Sequence, residues 1–411
     1  MNALSLNYCL TFLVTLFVRY RFLVFSSCAL CVLCGELNAQ DYKTLKPGIE
    51  YAEVKREIDG LKVNMNLLRL DLTKVRLDVH HAMDAAIGTE KTSSIATRHG
   101  AFAAINGGFF RLDKSVFAGD SVGALMVDGH LLSESTNNRT TLRISNGNKT
   151  TSIWIERLEA ASWFGINKSE FSGRIDGINR ERLDKEEVAY TSDFGDSTPT
   201  RRSLELVFAN CSASERSSGK EFRCRSAKVS SGDGNTKIPN GGFVVSMSLT
   251  KFTSNDGRFD NYLNNQGAKG HFFYLRPDVS NNGVRVPIER STDIIAGVPQ
   301  LIKNSKIDIT WKEEKSSKSF VETRHPRTAV AKLKDGKFLM ITVDGRTESS
   351  GGIGLQDLAE YLLSLGATDA INLDGGGSST MFLDGKVVNH PSDKEGERKV
   401  SDAILVTPRK K

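Results

Sequence analysis

Past its first forty residues, this 411-residue chain is short of the residues that carry metal and redox chemistry. Cys9, Cys28, Cys31 and Cys34 all precede residue 41, which leaves only Cys211 and Cys224. No CxxC pair survives beyond that point, so a thiolate zinc site or a dithiol redox motif is not expected. The seven histidines show no HxH or HExxH spacing, so catalytic zinc is not expected either, and no motif asks for a cofactor. GxxxxGK[ST] is absent, which excludes a P-loop. No Lys/Arg block precedes the terminal Arg409-Lys410-Lys411. Beyond residue 40 the chain holds 53 basic and 48 acidic side chains, interspersed, for a net charge of +5. Over this length such a charge gives nucleic-acid binding no support. Nor is there a Pro-rich or Ser/Gly-rich linker, an internal repeat, or an apolar run near the ~20 residues of a spanning helix.

The first forty residues have a different character. Arg19 and Arg21 precede the apolar run FLVFSSCALCVLCG, and ELNAQD follows with Leu37 and Ala39 at small-residue cleavage spacing. This is the pattern of an export signal over residues 1–40, with the single large domain expected over 41–411. An uncleaved membrane anchor is the alternative, and membrane contact is expected only through this segment. The expected location is secreted, periplasmic or cell envelope. In an oxidising compartment Cys211 and Cys224, which flank SASERSSGKEFR, are expected to pair; two free thiols are the alternative.

The remainder reads mostly as strands. IEYAEVKREI and LKVNMNLLRLDL alternate around Asp59-Gly60, and GALMVDGHLLS folds back at Asp128-Gly129. TMFLDGKVVN does the same at Asp384-Gly385. Residues 165–300 are rich in Ser, Asn, Gly and charge, with short strands such as SLELVFAN and GGFVVSMSL, and read as loop-rich insertions on one core. KFLMITVDG, GLQDLAEYLLSLG and DAINLDGG read as strand, helix and strand. Leu355, Leu358, Ala359, Leu362 and Leu363 form the helix's apolar face, and Gly366 ends it. This spacing predicts a βαβ unit with its two strands as parallel neighbours. The fold class is therefore α+β: a mixed β-sheet core with a C-terminal βαβ unit, in a single large domain.

Three strands end in an Asx residue followed by glycine: AAINGG at Asn106, ITVDG at Asp344 and INLDGGG at Asp374. Ligands gather beyond the carboxyl ends of parallel strands, so these three are expected to face one crevice. Each taken singly also fits a plain turn, as the pairs at 59, 128 and 384 do. Glycines 375, 376 and 377 admit a ligand close to the backbone and free N–H groups for an anion. Glu348 follows in the loop VDGRTESSGG, and Arg327 stands in HPRTAVAKL before a strand.

These motifs resemble a known family. INGGFFR (105–111), INRERL with AYTSDFG, PRTAVA (326–331), the long block 343–381, and HPSD ahead of VSDAILV are similar to the phosphodiester glycosidases. The resemblance implies hydrolysis of the anomeric C–O bond of a sugar 1-phosphodiester, N-acetylglucosamine-like or an envelope or capsular glycan. It implies that Asp374 or Glu348 acts as base or nucleophile, with Asp344 supporting and Arg327 meeting phosphate. Asn106, Gly375, Gly376, Gly377, Ser378 and Thr380 would hold sugar hydroxyls or phosphate. The expected partner is a glycan or sugar phosphate. A non-catalytic cell-envelope polysaccharide-binding or assembly protein, or a hydrolase of ordinary glycosides, are the alternatives.

Overall fold

Sheets dominate, because the period-2 alternation that marks half-buried strands runs through most of the chain. The computed structural model describes residues 40–167, 172–216, 219–232, 234–248 and 271–410. The expected leader, residues 1–40 with its four cysteines, lies outside these except for Gln40. Residues 43–411 form one contact unit. About 51% of the described residues are in strands and 8% in helices, so the fold is mainly β, roughly compatible with the expected α+β class.

An eight-stranded sheet runs in the order Lys43–Lys46, Ile49–Ile58, Leu61–Leu70, Phe338–Val343, Arg327–Leu333, Ala367–Asn372, Gln300–Lys303, Lys306–Ile307. A five-stranded sheet follows the order Lys386–Val387, Met381–Leu383, Ala103–Asn106, Asp402–Pro408, Val75–His81. Another five-stranded sheet centres on Thr292–Ala296. One core joins all three, with Leu68, Met340, Val330 and Ile371 from the first, Ile105 and Ile404 from the second, and Leu142 and Ile295 from the third.

The expected strand–helix–strand occurs, as Phe338–Val343, Leu355–Ser364 and Ala367–Asn372. The helix buries Leu355, Leu358, Ala359 and Leu362, leaves Leu363 half-buried, and is followed by Gly366 at φ 88°. Its two strands are not neighbours, which corrects the βαβ expectation. Arg327–Leu333 lies between them and is antiparallel to both. Helical and strand periodicity in a sequence sets where each element runs, whereas the strand that fills a gap can come from elsewhere in the chain. The inserted strand has a consequence for the site. Since it runs the other way, it begins at the edge where its neighbours end, so Arg327 joins Asp344 and Asp374 there.

The middle of the chain is also corrected. Instead of loop-rich insertions it forms a nine-stranded sheet, including the 14-residue strands Ser203–Arg216 and Gly219–Gly232. Phe164, Phe208, Phe243 and Phe273 pack in its own core, with the Phe208 and Phe243 rings stacked at 4.6 Å. Its outward positions carry the Ser, Lys and Arg that make the sequence look polar; a sheet with one wet face needs only every second residue apolar. Cys211 and Cys224 are directly opposed across the long hairpin and form a disulfide.

Candidate active site

Antiparallel pairing gathers the site. Asn106 ends the Ala103–Asn106 strand, and Asp402 begins the strand beside it. Asp374 follows the end of Ala367–Asn372, and its N–H donates to Gly107 O at 3.0 Å. The edges of the eight-stranded sheet and of the sheet holding Asn106 are thereby laced together.

Asp374 is walled in without being sealed from solvent. Burial lifts its carboxyl to about 6, opposed by Ser378, by the Gly375 N–H and by the positive charge of Arg398, and aided by the Asp402 carboxylate. The Gly375 N–H donates to Asp374 Oδ1 at 2.9 Å. The Ser378 hydroxyl is close enough to lower that pKa, yet it forms no hydrogen bond of good geometry and is buried; so is the hydroxyl of Thr380. Unpaired buried hydroxyls are expensive, and a ligand would satisfy them.

The glycines have separate reasons to be there. Gly376 takes φ 62° inside the short 3-10 turn Gly376–Ser378. At Gly377 a Cβ would stand 2.1 Å from Asp393 Oδ1 and 2.2 Å from Arg398 Nη2, so only glycine admits that ion pair. Arg398 grips Asp393 in bidentate fashion, with Nε–Oδ2 at 2.7 Å and Nη2–Oδ1 at 3.0 Å.

Three guanidinium groups approach this loop. Arg398 does so through its charge on Asp374. Arg346 is exposed, and its Nη2 lies 3.2 Å from the position a Cβ on Gly376 would take. Arg139 feels Asp374 electrostatically, although burial, the larger effect, lowers its pKa. Its Nη1 donates to Val122 O at 2.7 Å and it faces the Phe109 ring at 5.3 Å, while its buried Nε has no partner.

Other expected residues are brought to the same edge for different work. Arg327 is 1% exposed; its Nε donates to Ile353 O and its Nη2 to Phe320 O and Thr323 O, beneath the Phe320 ring. Burial, with Arg346 nearby, pushes its pKa down to about 10. Those two nitrogens satisfy three backbone carbonyls, so the side chain braces the segment that carries Phe320, Thr323 and Ile353. Asn106 is fully buried: Nδ2 donates to Asp374 O at 2.7 Å, and Oδ1 accepts from Thr328 Oγ1 and Thr380 N. In this structure it braces the Asp374 loop. Asp344 accepts from the His390 N–H at 2.9 Å and from Asn389 Nδ2 at 3.3 Å. Burial raises its pKa against these bonds. Asn389 in turn accepts from Met381 N and donates to Ser379 O, so Asp344 is tied through it to the chain that follows the glycine loop. Glu348 is exposed at the tip of the Thr347–Ser350 turn, and no hydrogen bond or ion pair ties it to the cluster.

Several residues escaped the sequence reading. Arg346 and Asp393 sit inside the quoted blocks VDGRTESSGG and HPSD, whereas Arg139 in NNRTT carried no signal. Asp402, in VSDAILV, is buried and accepts from Gly108 N at 2.6 Å and from Ser401 Oγ and Ser121 Oγ. Ser121 itself stands in GDSVG, which has nucleophile-elbow spacing. It lies in a loop that leads to the Leu125–Val127 strand with no helix behind it, and the nearby His81 ring meets Gly119 O instead. No serine nucleophile is built there.

Residues 227–407 match the family described as phosphodiester glycosidase. The mouse (Mus musculus) N-acetylglucosamine-1-phosphodiester alpha-N-acetylglucosaminidase is 33% identical over 173 residues, which span 38% of this chain and 33% of the mouse protein. Among solved structures, a hypothetical protein from Synechocystis superposes with TM-score 0.68 at 20% identity, over 90% of this chain and 64% of that one. A Burkholderia pseudomallei K96243 protein gives 0.65 at 22%, over 85% and 75%. The two structures share the fold. The chain is similar to the phosphodiester glycosidases, as its motifs imply.

Proposed function

We propose, from this likeness, that the chain hydrolyses the anomeric C–O bond of a sugar 1-phosphodiester and releases free sugar and a phosphomonoester. One observation carries the reading: a carboxylate with its pKa raised to about 6 stands beside a glycine loop, with Arg346 against Gly376 and the positive charges of Arg398 and Arg139 felt at the carboxylate. Guanidinium groups match phosphate oxygens in geometry and charge. With the phosphate so held, its departure needs little help from an acid. The carboxylate then has one task, the activation of water.

In this mechanism Asp374 accepts a proton from water as the water oxygen bonds to the anomeric carbon. The C–O bond breaks and its electron pair leaves on the phosphate oxygen, stabilised by the guanidinium groups. The proton passes from Asp374 to solvent. The Ser378 and Thr380 hydroxyls bind the sugar or phosphate, and the half-exposed Phe109 and Phe320 rings offer an apolar flank to the sugar. The disulfide supports a location outside the reducing cytoplasm.

Turnover of a sugar 1-phosphodiester should far exceed that of an aryl glycoside. Phosphorus NMR in oxygen-18 water should place no label in the released phosphate. Label in the phosphate would mean P–O cleavage and would overturn the assignment.

A further inference from the structure

His80 and His81 alternate along one strand and therefore project to opposite faces of their sheet. His81 turns toward Gly119, near the candidate active site, while His80 faces the helix Thr92–Arg98. There it meets two other potential ligands, Asp84 and His99. His80 Nδ1 lies 3.8 Å from Asp84 Oδ1, His99 Nε2 lies 2.9 Å from the same oxygen, and all three donor atoms fall within 4.8 Å of one another. The two imidazole rings stack with centroids 3.6 Å apart. A tetrahedral zinc, with bonds of about 2.0–2.1 Å, needs donor atoms about 3.3 Å apart. The observed distances bracket that value, and a rotation of one imidazole out of the stack would turn both in-plane nitrogen lone pairs onto one ion.

The three ligands come from separate elements: the end of the Val75–His81 strand, the 3-10 turn Ala82–Asp84, and the residue after the helix. Both His side chains are about one-fifth exposed and Asp84 about half, so an ion could enter and keep a water. Two imidazoles with one carboxylate suit zinc, nickel or copper better than magnesium or calcium. One cation already competes for the place. Arg98 Nη1 contacts Asp84 Oδ2 and stands 3.0 Å from His99 Nε2. Its other side rests on Glu90, with Nη2–Oε2 at 2.9 Å, so Arg98 has somewhere to retreat.

We propose that His80, Asp84 and His99 form a three-ligand site for a divalent transition metal, open to solvent at the fourth position, which Arg98 guards when empty. Such an ion would pin the end of the helix to the strand that pairs with the Asp402 strand. It lies on the other face of the sheet from His81 and takes no part in bond cleavage.

Isothermal titration of the full chain with zinc chloride tests this, alongside His80→Ala, His99→Gln and Arg98→Gln. Expected is a one-to-one component that both His variants lose and that Arg98→Gln tightens several-fold, with zinc raising the Tm of the wild type and of Arg98→Gln but not of the His variants. Ligands elsewhere, including the leader cysteines, would persist in the variants and are thereby subtracted. Zinc binding unchanged in both His variants, or no component tighter than about 100 μM in the wild type, would overturn the proposal.

Discussion

At three hairpin tips, Asp59-Gly60, Asp128-Gly129 and Asp384-Gly385, both residues have positive φ: 53° and 74°, 49° and 72°, 49° and 86°. These are the primed turns that right-twisted strand pairs favour, and each Asp is exposed. At the three sheet ends, Asn106-Gly107, Asp344-Gly345 and Asp374-Gly375, neither residue has positive φ. The side chains point into a buried edge, where they brace loops or carry charge. The dipeptides are interchangeable on paper. What separates them is whether the chain turns back on itself or runs on into a neighbouring sheet.

The sharpest test of this contrast is Asp374→Asn. Loss of the base should lower kcat by at least about a hundredfold, with the fold intact by circular dichroism. A hairpin-type role predicts survival of activity, because Asn also suits such turns. The same variant has a stability signature. The folded carboxyl titrates at about 6 against a usual 3.8, so the folded state binds its proton more tightly than the unfolded chain does. Ionisation therefore works against folding above pH 6, and the penalty is relieved as pH falls from about 6 toward 4. Asp374→Asn should raise Tm at pH 8, by the equivalent of at most ~3 kcal/mol, with the gain vanishing near pH 4. A lower Tm at pH 8 would contradict this.

Next in size are the guanidinium groups. Arg346→Ala should lower kcat/KM for a phosphodiester about ten- to a hundredfold and leave Tm nearly unchanged. Arg327→Met should do the reverse: it strands three carbonyls and should cost ~2 kcal/mol or more, read as a fall in Tm. Equal losses of activity and equal Tm values for the two would erase the distinction between binding and bracing.

The pH profile comes third. Asp374 has to be ionised to accept a proton, so kcat should rise through about pH 6 and level off above it. A limb that falls with pH across that range would make Asp374 an acid. Smallest are Asp384→Asn and Glu348→Gln, for which kcat within twofold of wild type and Tm within about one degree are expected. A large loss in Glu348→Gln would bring that exposed loop into the mechanism.

The local grammar was legible from residue types alone. Alternation marked the strands, the spacing of Leu355, Leu358 and Leu362 marked the helix, and Asp-Gly pairs marked the hairpin tips. All of these are short-range effects of backbone sterics and of one-sided burial. The strand-end carboxylates Asp344 and Asp374 were legible for the same reason. The cations around the glycine loop were not. Arg139, Arg346 and Arg398 reach the glycine loop from segments more than two hundred residues apart at the extremes, and no local pattern marks a cation for such a meeting. Arg327 shows the converse: its place beside a strand end suggested chemistry, and only packing against Phe320 and three carbonyls reveals a brace.

By itself, the sequence determined the strands, their turns, the helix, and the placing of an acidic residue where a strand stops. Those depend on interactions within a few residues of one another. Tertiary structure alone decided that Arg327–Leu333 would separate the two strands flanking the helix, and that polar-looking residues 203–248 would make a sheet with its own core. It also decided which buried groups would be left unsatisfied. Hydrogen-bond partners and desolvation at Asp374, Ser378 and Arg139 come from chains that meet only in the fold, and those are the quantities that set a carboxylate near 6 and leave hydroxyls free for a ligand.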